Sequence, residues 1–100
     1  MTELEQFCND ELSESRSVFV LFPNAREAVT FKRHMQWKYT PKFLNQLYTR
    51  SSLAKATLRA LRTDTLIVID FRRCDYDAVE LCRETITRCS RNPKYTEFST

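Results

Sequence analysis

The sequence contains no glycine in its 100 residues. That excludes a Walker-type phosphate loop and a GxGxxG dinucleotide fingerprint, because both need a backbone without Cβ to approach phosphate. It also removes the default residue for left-handed turns, so Asn or Asp has to serve there. Histidine occurs once, as His34, which excludes a histidine cluster for metal. No stretch approaches the roughly 20 apolar residues of a membrane-spanning helix. The opening Met1-Thr2-Glu3-Leu4-Glu5-Gln6-Phe7 is acidic and lacks an apolar h-region, so no secretory signal is expected. HExxH, a nucleophile elbow and a carboxylate pair with a base are all missing, so no catalytic residue and no metal ligand is assigned. Sixteen Lys and Arg against thirteen Asp and Glu leave +3, too little to mark a nucleic-acid binder.

What is present describes one globular unit: 42% hydrophobic residues are enough for a single core, and the chain is too short for two. The four cysteines, Cys8, Cys74, Cys82 and Cys89, match no CxxC spacing. Without a secretory signal they are expected to be free thiols in a reducing, cytoplasmic setting. Cys82 and Cys89 fall on one helix about 10 Å apart, too far for a disulfide, and read as small buried hydrophobes. Cys74, in a loop beside Arg72 and Arg73, reads as the reactive thiol, with some thiolate character.

Charge is unevenly placed. Residues 1–15 carry five acids and no Lys or Arg, whereas residues 16–100 carry sixteen bases and eight acids, a net of +8. Residues 1–16 therefore read as an acidic flexible leader, the alternative being a segment folded back over the basic body. Order is expected over residues 17–100. Ser17–Phe22 is a β-rich run apolar on both faces, as in a buried parallel strand. After Pro23, Asn24 can cap a helix from Ala25 to about Lys38, with Ala25, Ala28, Phe31 and Met35 recurring near helical spacing. A second strand is expected over Phe43–Thr49, although Asn45 and Gln46 weaken it, and a short helix over Leu53–Leu61, capped by Ser51-Ser52. Thr65–Asp70 is the clearest strand. A third helix follows, with Asp77 and Glu80 as a capping-box-like pair and Val79, Cys82, Ile86 and Cys89 on its stripe. Tyr95–Thr100 reads as the run-in to a further strand.

The β-α-β-α-β-α order predicts a receiver-like or flavodoxin-like α/β fold: a parallel sheet with helices on both faces, ending after the third β-α unit. In such sheets chemistry gathers at the carboxyl ends of the strands, which makes Asp70 the residue of most interest. It occupies a phospho-acceptor-like position. Phosphoryl transfer there would need a divalent cation held by acids after the first strand, and that position reads Phe22-Pro23-Asn24. The acceptor is accordingly read as inactive. A strand order beginning 2-1-3 leaves Thr65–Asp70 at an open edge, which predicts self-association through that strand. The basic stretch 26–42, with Phe31, Trp37 and Tyr39 interleaved and Phe43 just beyond, has the composition of a single-strand nucleic-acid platform. The small net charge disfavours that use.

Thr65-Leu66-Ile67-Val68-Ile69-Asp70-Phe71-Arg72, followed by Tyr76-Asp77-Ala78-Val79-Glu80-Leu81-Cys82-Arg83, resembles the receiver-like domain of the phosphodiesterase 8 group, the high-affinity cyclic-AMP-specific phosphodiesterases. In that group a strand ending "IIDHR" leads into a helix close to "DAEALCRSIR". The specific match covers about twenty residues, and the order of elements extends it to roughly residues 17–100. The resemblance implies a non-catalytic regulatory fragment of a larger enzyme, whose further receiver strands, PAS domain and metal-dependent catalytic domain would lie elsewhere. It implies no cofactor in this chain. Phe71 stands where the group has histidine, so the resemblance carries the fold and not phosphorylation at Asp70. The expected partners are those missing domains, a second copy or another protein, the alternative functions being a small α/β adaptor or a weak nucleic-acid binder.

Overall fold

The aliphatic and aromatic runs Val18–Phe22 and Thr65–Ile69 form two central strands, and every one of their ten residues is buried. The computed structural model describes residues 2–39, 44–53 and 63–99, apart from the Thr2 side chain. Its elements are α1 (Thr2–Ser13), β1 (Val18–Phe22), α2 (Ala25–Lys38), β2 (Leu47–Ser51), β3 (Thr65–Ile69), a 3₁₀ turn over Phe71–Arg73, α3 (Tyr76–Cys89) and β4 (Lys94–Phe98). The strands make one parallel sheet in the order β2-β1-β3-β4. This is the expected flavodoxin-like α/β arrangement.

Alternation along the strands divides the core in two. Val18, Val20, Phe22, Ile67 and Ile69 face α1 and α2, which contribute Leu4, Cys8, Leu12, Ala28, Phe31 and Met35. Phe19, Leu21, Leu66 and Val68 face α3, which contributes Ala78, Val79, Cys82 and Ile86. Each large side chain buried in this way contributes about 1.5–3 kcal/mol. Among the described residues, helices thus cover both sheet faces, with two on one side and one on the other.

Three expectations need correction. The first concerns residues 1–16, which are no flexible leader over Thr2–Ser13. Leu4, Cys8 and Leu12 recur every fourth residue, and that stripe docks an ordered helix on the sheet with Cys8 fully buried. The acids that suggested a solvated tail include two buried ones, Glu5 and Glu11. The second concerns the edge of the sheet. β4 pairs along the whole of β3, from Thr65↔Lys94 to Ile69↔Phe98, so Thr65–Asp70 is an interior strand and cannot mediate edge-to-edge association. The chain also continues beyond the third β-α unit into this fourth strand. The third concerns β2, which starts at Leu47 rather than Phe43. Its buried Leu47, Thr49 and Ser51 alternate with half-buried Tyr48 and Arg50, the pattern of an edge strand paired on one side with β1.

Local signals were more exact elsewhere. Asn24 caps α2 by accepting the Glu27 N–H at 3.0 Å, and the helix ends at Lys38 as expected. The helix expected over Leu53–Leu61 lies outside the described residues beyond Leu53. α3 is capped by Asp75, which accepts from the Ala78 N–H at 3.1 Å, not by Asp77. The lack of glycine shows at two left-handed positions, Ser15 (φ 63°) and Asp70 (φ 50°). Ser15 closes α1 in a Schellman motif, with Arg16 N–H bonded to Glu11 C=O and Ser15 N–H to Leu12 C=O.

Candidate functional site

The carboxyl ends of β1, β2 and β3 lead into Pro23, Ser52 and Asp70 along one edge of the sheet. Parallel strands present unpaired backbone groups at this edge, and a ligand or the protein itself has to satisfy them. Here the protein does so. The Ser52 N–H donates to Phe22 C=O at 2.8 Å, its hydroxyl donates to Pro23 C=O at 3.3 Å, and it accepts the Asp75 N–H at 3.2 Å. Ser52 is fully buried, so one hydroxyl ties the ends of β1 and β2 to the start of α3.

Asp70 leaves β3 in a left-handed conformation and donates its N–H to Phe98 C=O at 2.8 Å. Its carboxylate is largely covered, with 12% of the side chain exposed, and accepts from Arg73 Nη1 at 3.2 Å. The same guanidinium reaches Glu27 at the start of α2, with Nη1–Oε1 at 3.3 Å and Nη2–Oε2 at 3.4 Å. Glu27 in turn accepts from Asn24 Nδ2 at 2.9 Å. Glu27 first, then Asp70, raise the Arg73 pKa above its ordinary value. A chain Asn24–Glu27–Arg73–Asp70 therefore spans the crevice between β1 and β3, and an arginine stands between the carboxylates. The divalent cation that a phosphorylating receiver requires does not fit these residues. The position after β1 holds no acid, and the two facing carboxylates share the Arg73 guanidinium instead.

Beside this clamp, over β3 and β4, lies a cleft of ≈ 380 Å³ lined by Asp70, Phe71, Arg72, Glu97, Phe98 and Ser99, with Arg73 closing one side. Two acids, two arginines and two phenyl rings give it no single sign of charge. Among the described residues no group of three or more His, Cys, Asp or Glu converges as a metal site.

Cys74 is placed differently from the expectation. It is half-buried and its Sγ donates to Ile69 C=O at 3.2 Å. Burial, above all, raises the thiol pKa, and the neighbouring Asp70 and Glu27 add to this against the opposing Ser52 and Arg73. Arg72 and Arg73 lie outside at the surface, and the pull of Arg73 on the thiol is outweighed by burial. All four cysteines are free. Cys8 and Cys82 are buried, and burial pushes each thiol up to about 12. Cys89, read from its spacing as a core residue, is exposed at the last turn of α3.

The opposite, amino-terminal edge holds a charged cluster that the sequence reading missed. Glu11 of α1 accepts from the Thr65 hydroxyl at 2.8 Å and from Lys94 at 3.1 Å, and pairs with Arg16 at 3.4 Å. Burial works against its charge, and Thr65, Lys94 and Arg16 outweigh that, so its pKa lies below the ordinary value. Farther along α1, Glu5 is buried against His34 and Lys38 of α2. The spacing of Leu4, Cys8 and Leu12 was the available signal, obscured by the acids beside it. The aromatics of the 26–42 stretch separate: Phe31 is core, Tyr39 is half-buried and Trp37 is 86% exposed. Phe43 lies outside the described residues. A stacking platform is not assembled from the three described rings.

No family model matches the chain, and neither a curated protein nor a solved structure matches it. Among the described residues no helix is long and apolar enough to cross a membrane.

Proposed function

We propose that the chain is a non-catalytic, receiver-like regulatory module of cyclic-AMP signalling, similar to that of the phosphodiesterase 8 group, acting by packing against neighbouring domains or a partner. The observation that carries the non-catalytic part is the Arg73 clamp, with its guanidinium between Glu27 and Asp70. An acceptor carboxylate held by the surface guanidinium of Arg73, with its loop tied down by Ser52 and Phe98, favours a fixed surface over a phosphorylated switch. The flavodoxin-like strand order and the resemblance around Asp70 and α3 support the receiver-like reading. The cyclic-AMP context rests on the resemblance alone.

Two measurements test this. With magnesium and acetyl phosphate, amide spectra of Asp70, Arg73 and Ser99 are expected to stay unchanged, and a magnesium-dependent shift would make the module a phosphorylatable receiver. Added to a phosphodiesterase of this group lacking its own N-terminal region, the chain is expected to alter cyclic-AMP hydrolysis saturably. If it neither binds nor alters the rate, the signalling assignment fails. The exposed Trp37 would then favour the small α/β adaptor.

A further inference from the structure

α1 and α2 lie side by side on one face of the sheet, joined by the contacts of Glu5 with His34 and Lys38. Each helix has used one face for the core, so its opposite face points to solvent. On α1 that outer stripe carries Glu3 and Asp10, with Glu14 just past the end of the helix, all exposed and with no base among them. On α2 the outer stripe carries Arg26, Arg33 and Trp37, also all exposed, with Val29 beside them at 49% exposure. Helical spacing explains both, since residues 26, 33 and 37 share the face opposite Phe31 and Met35. Among the described residues neither Arg26 nor Arg33 forms an ion pair, whereas Glu5, Glu11 and Glu27 all do. Trp37 leaves most of its ring in water, an uncommon cost for the side chain most favoured at the centres of interfaces.

We propose that this two-helix face is a homodimer interface, in which the acidic stripe of α1 in one copy lies on the basic, Trp37-bearing stripe of α2 in another. The charges select the symmetry. A two-fold axis along the groove between the helices sets each α1 over the partner's α2, and both pairings are attractive. A two-fold axis across the helices would set α1 on α1 and α2 on α2, and both would repel. An isologous contact requires this kind of self-complementary patch, with the same pairing made twice. The occupant that fits is therefore a second copy of this chain. With β3 enclosed by β4, this face replaces the strand edge as the surface for self-association. Such a dimer does not depend on a phosphodiesterase context.

Charge-swap variants test it in the full chain. Sedimentation equilibrium of the wild type at low salt is expected to give a dimer that dissociates as salt rises, because complementary charge is screened. One variant, Glu3→Lys with Asp10→Lys, makes both stripes basic. The other, Arg26→Glu with Arg33→Glu, makes both acidic. Each alone is expected to dimerise about a hundredfold more weakly, and an equimolar mixture is expected to recover a dimer containing one of each. Wild-type Trp37 emission, with no substitution to perturb folding, is expected to shift red as the dimer is diluted. A wild type that stays monomeric at high micromolar concentration and low salt overturns the proposal. So do variants that dimerise as well as the wild type, or a mixture that fails to pair while both variants keep wild-type circular dichroism.

Discussion

At the residue scale the chain shows what it costs to do without glycine and to bury acids. Ser15 holds the left-handed closing position of the α1 Schellman motif, where a side chain with Cβ carries a penalty of about 1–2 kcal/mol. Ser15→Gly is therefore expected to stabilise the protein by about 0.5–1 kcal/mol after its extra unfolded-state entropy is subtracted, as read from the urea midpoint. A lower midpoint would show that Ser15 has a compensating role. Glu11 behaves oppositely. Its pKa is depressed in the folded state, so its stabilisation is present above the unfolded carboxyl value and lost as pH falls through the folded one. Glu11→Gln is expected to cost about 1–3 kcal/mol at neutral pH, since Lys94 keeps access to water, and to flatten the acid side of the stability curve. Urea titrations from neutral to acidic pH, run on both proteins, would reveal an unchanged acid limb if Glu11 were not the group responsible.

At the scale of elements, legibility followed the strength of the local pattern. β1, β3 and α2 were readable because runs apolar on both faces and the Asn24 cap each admit one structure. α1 was misread because Glu5 and Glu11 flank its stripe, and their partners, His34, Lys38, Thr65 and Lys94, are remote in sequence. The clamp at the candidate site was hidden for the same reason, since Glu27 and Arg73 meet only after β1 and β3 pair. Asp70 and its place at the strand end were legible; the arginine beside it was not. Thiol labelling checks the corrected elements. Cys89 is expected to react at once, Cys74 slowly, and Cys8 and Cys82 only on opening. Leu12→Ala removes a buried leucine from α1, is expected to cost about 2–4 kcal/mol, and should speed Cys8 labelling far more than Cys82. Equal acceleration of both would mean that α1 does not open independently of α3.

At the scale of the whole molecule, α1 and β4, far apart in sequence, are built into the same corner. Phe7 of α1 packs edge-on against Phe98 of β4, with ring centroids 5.7 Å apart, and Glu11 holds Lys94. These contacts span almost the full sequence, so they close the longest loops in the fold and meet the largest entropic barrier. The consequence concerns the order of events during synthesis. α1 is translated before its partners Thr65, Lys94 and Phe98, which follow by more than fifty residues. Until β4 has been made, Phe7 lacks the Phe98 ring that it meets edge-on, and Glu11 lacks one of its cations. A series of chains of increasing length, released from the ribosome, is expected to leave Cys8 open to labelling until β4 is complete and then to protect it in one step. Protection appearing before Lys94 is translated would show that α1 docks without its distal partner. On this account α1 is made before the four strands it packs beside, yet takes its place only once β4 has joined them.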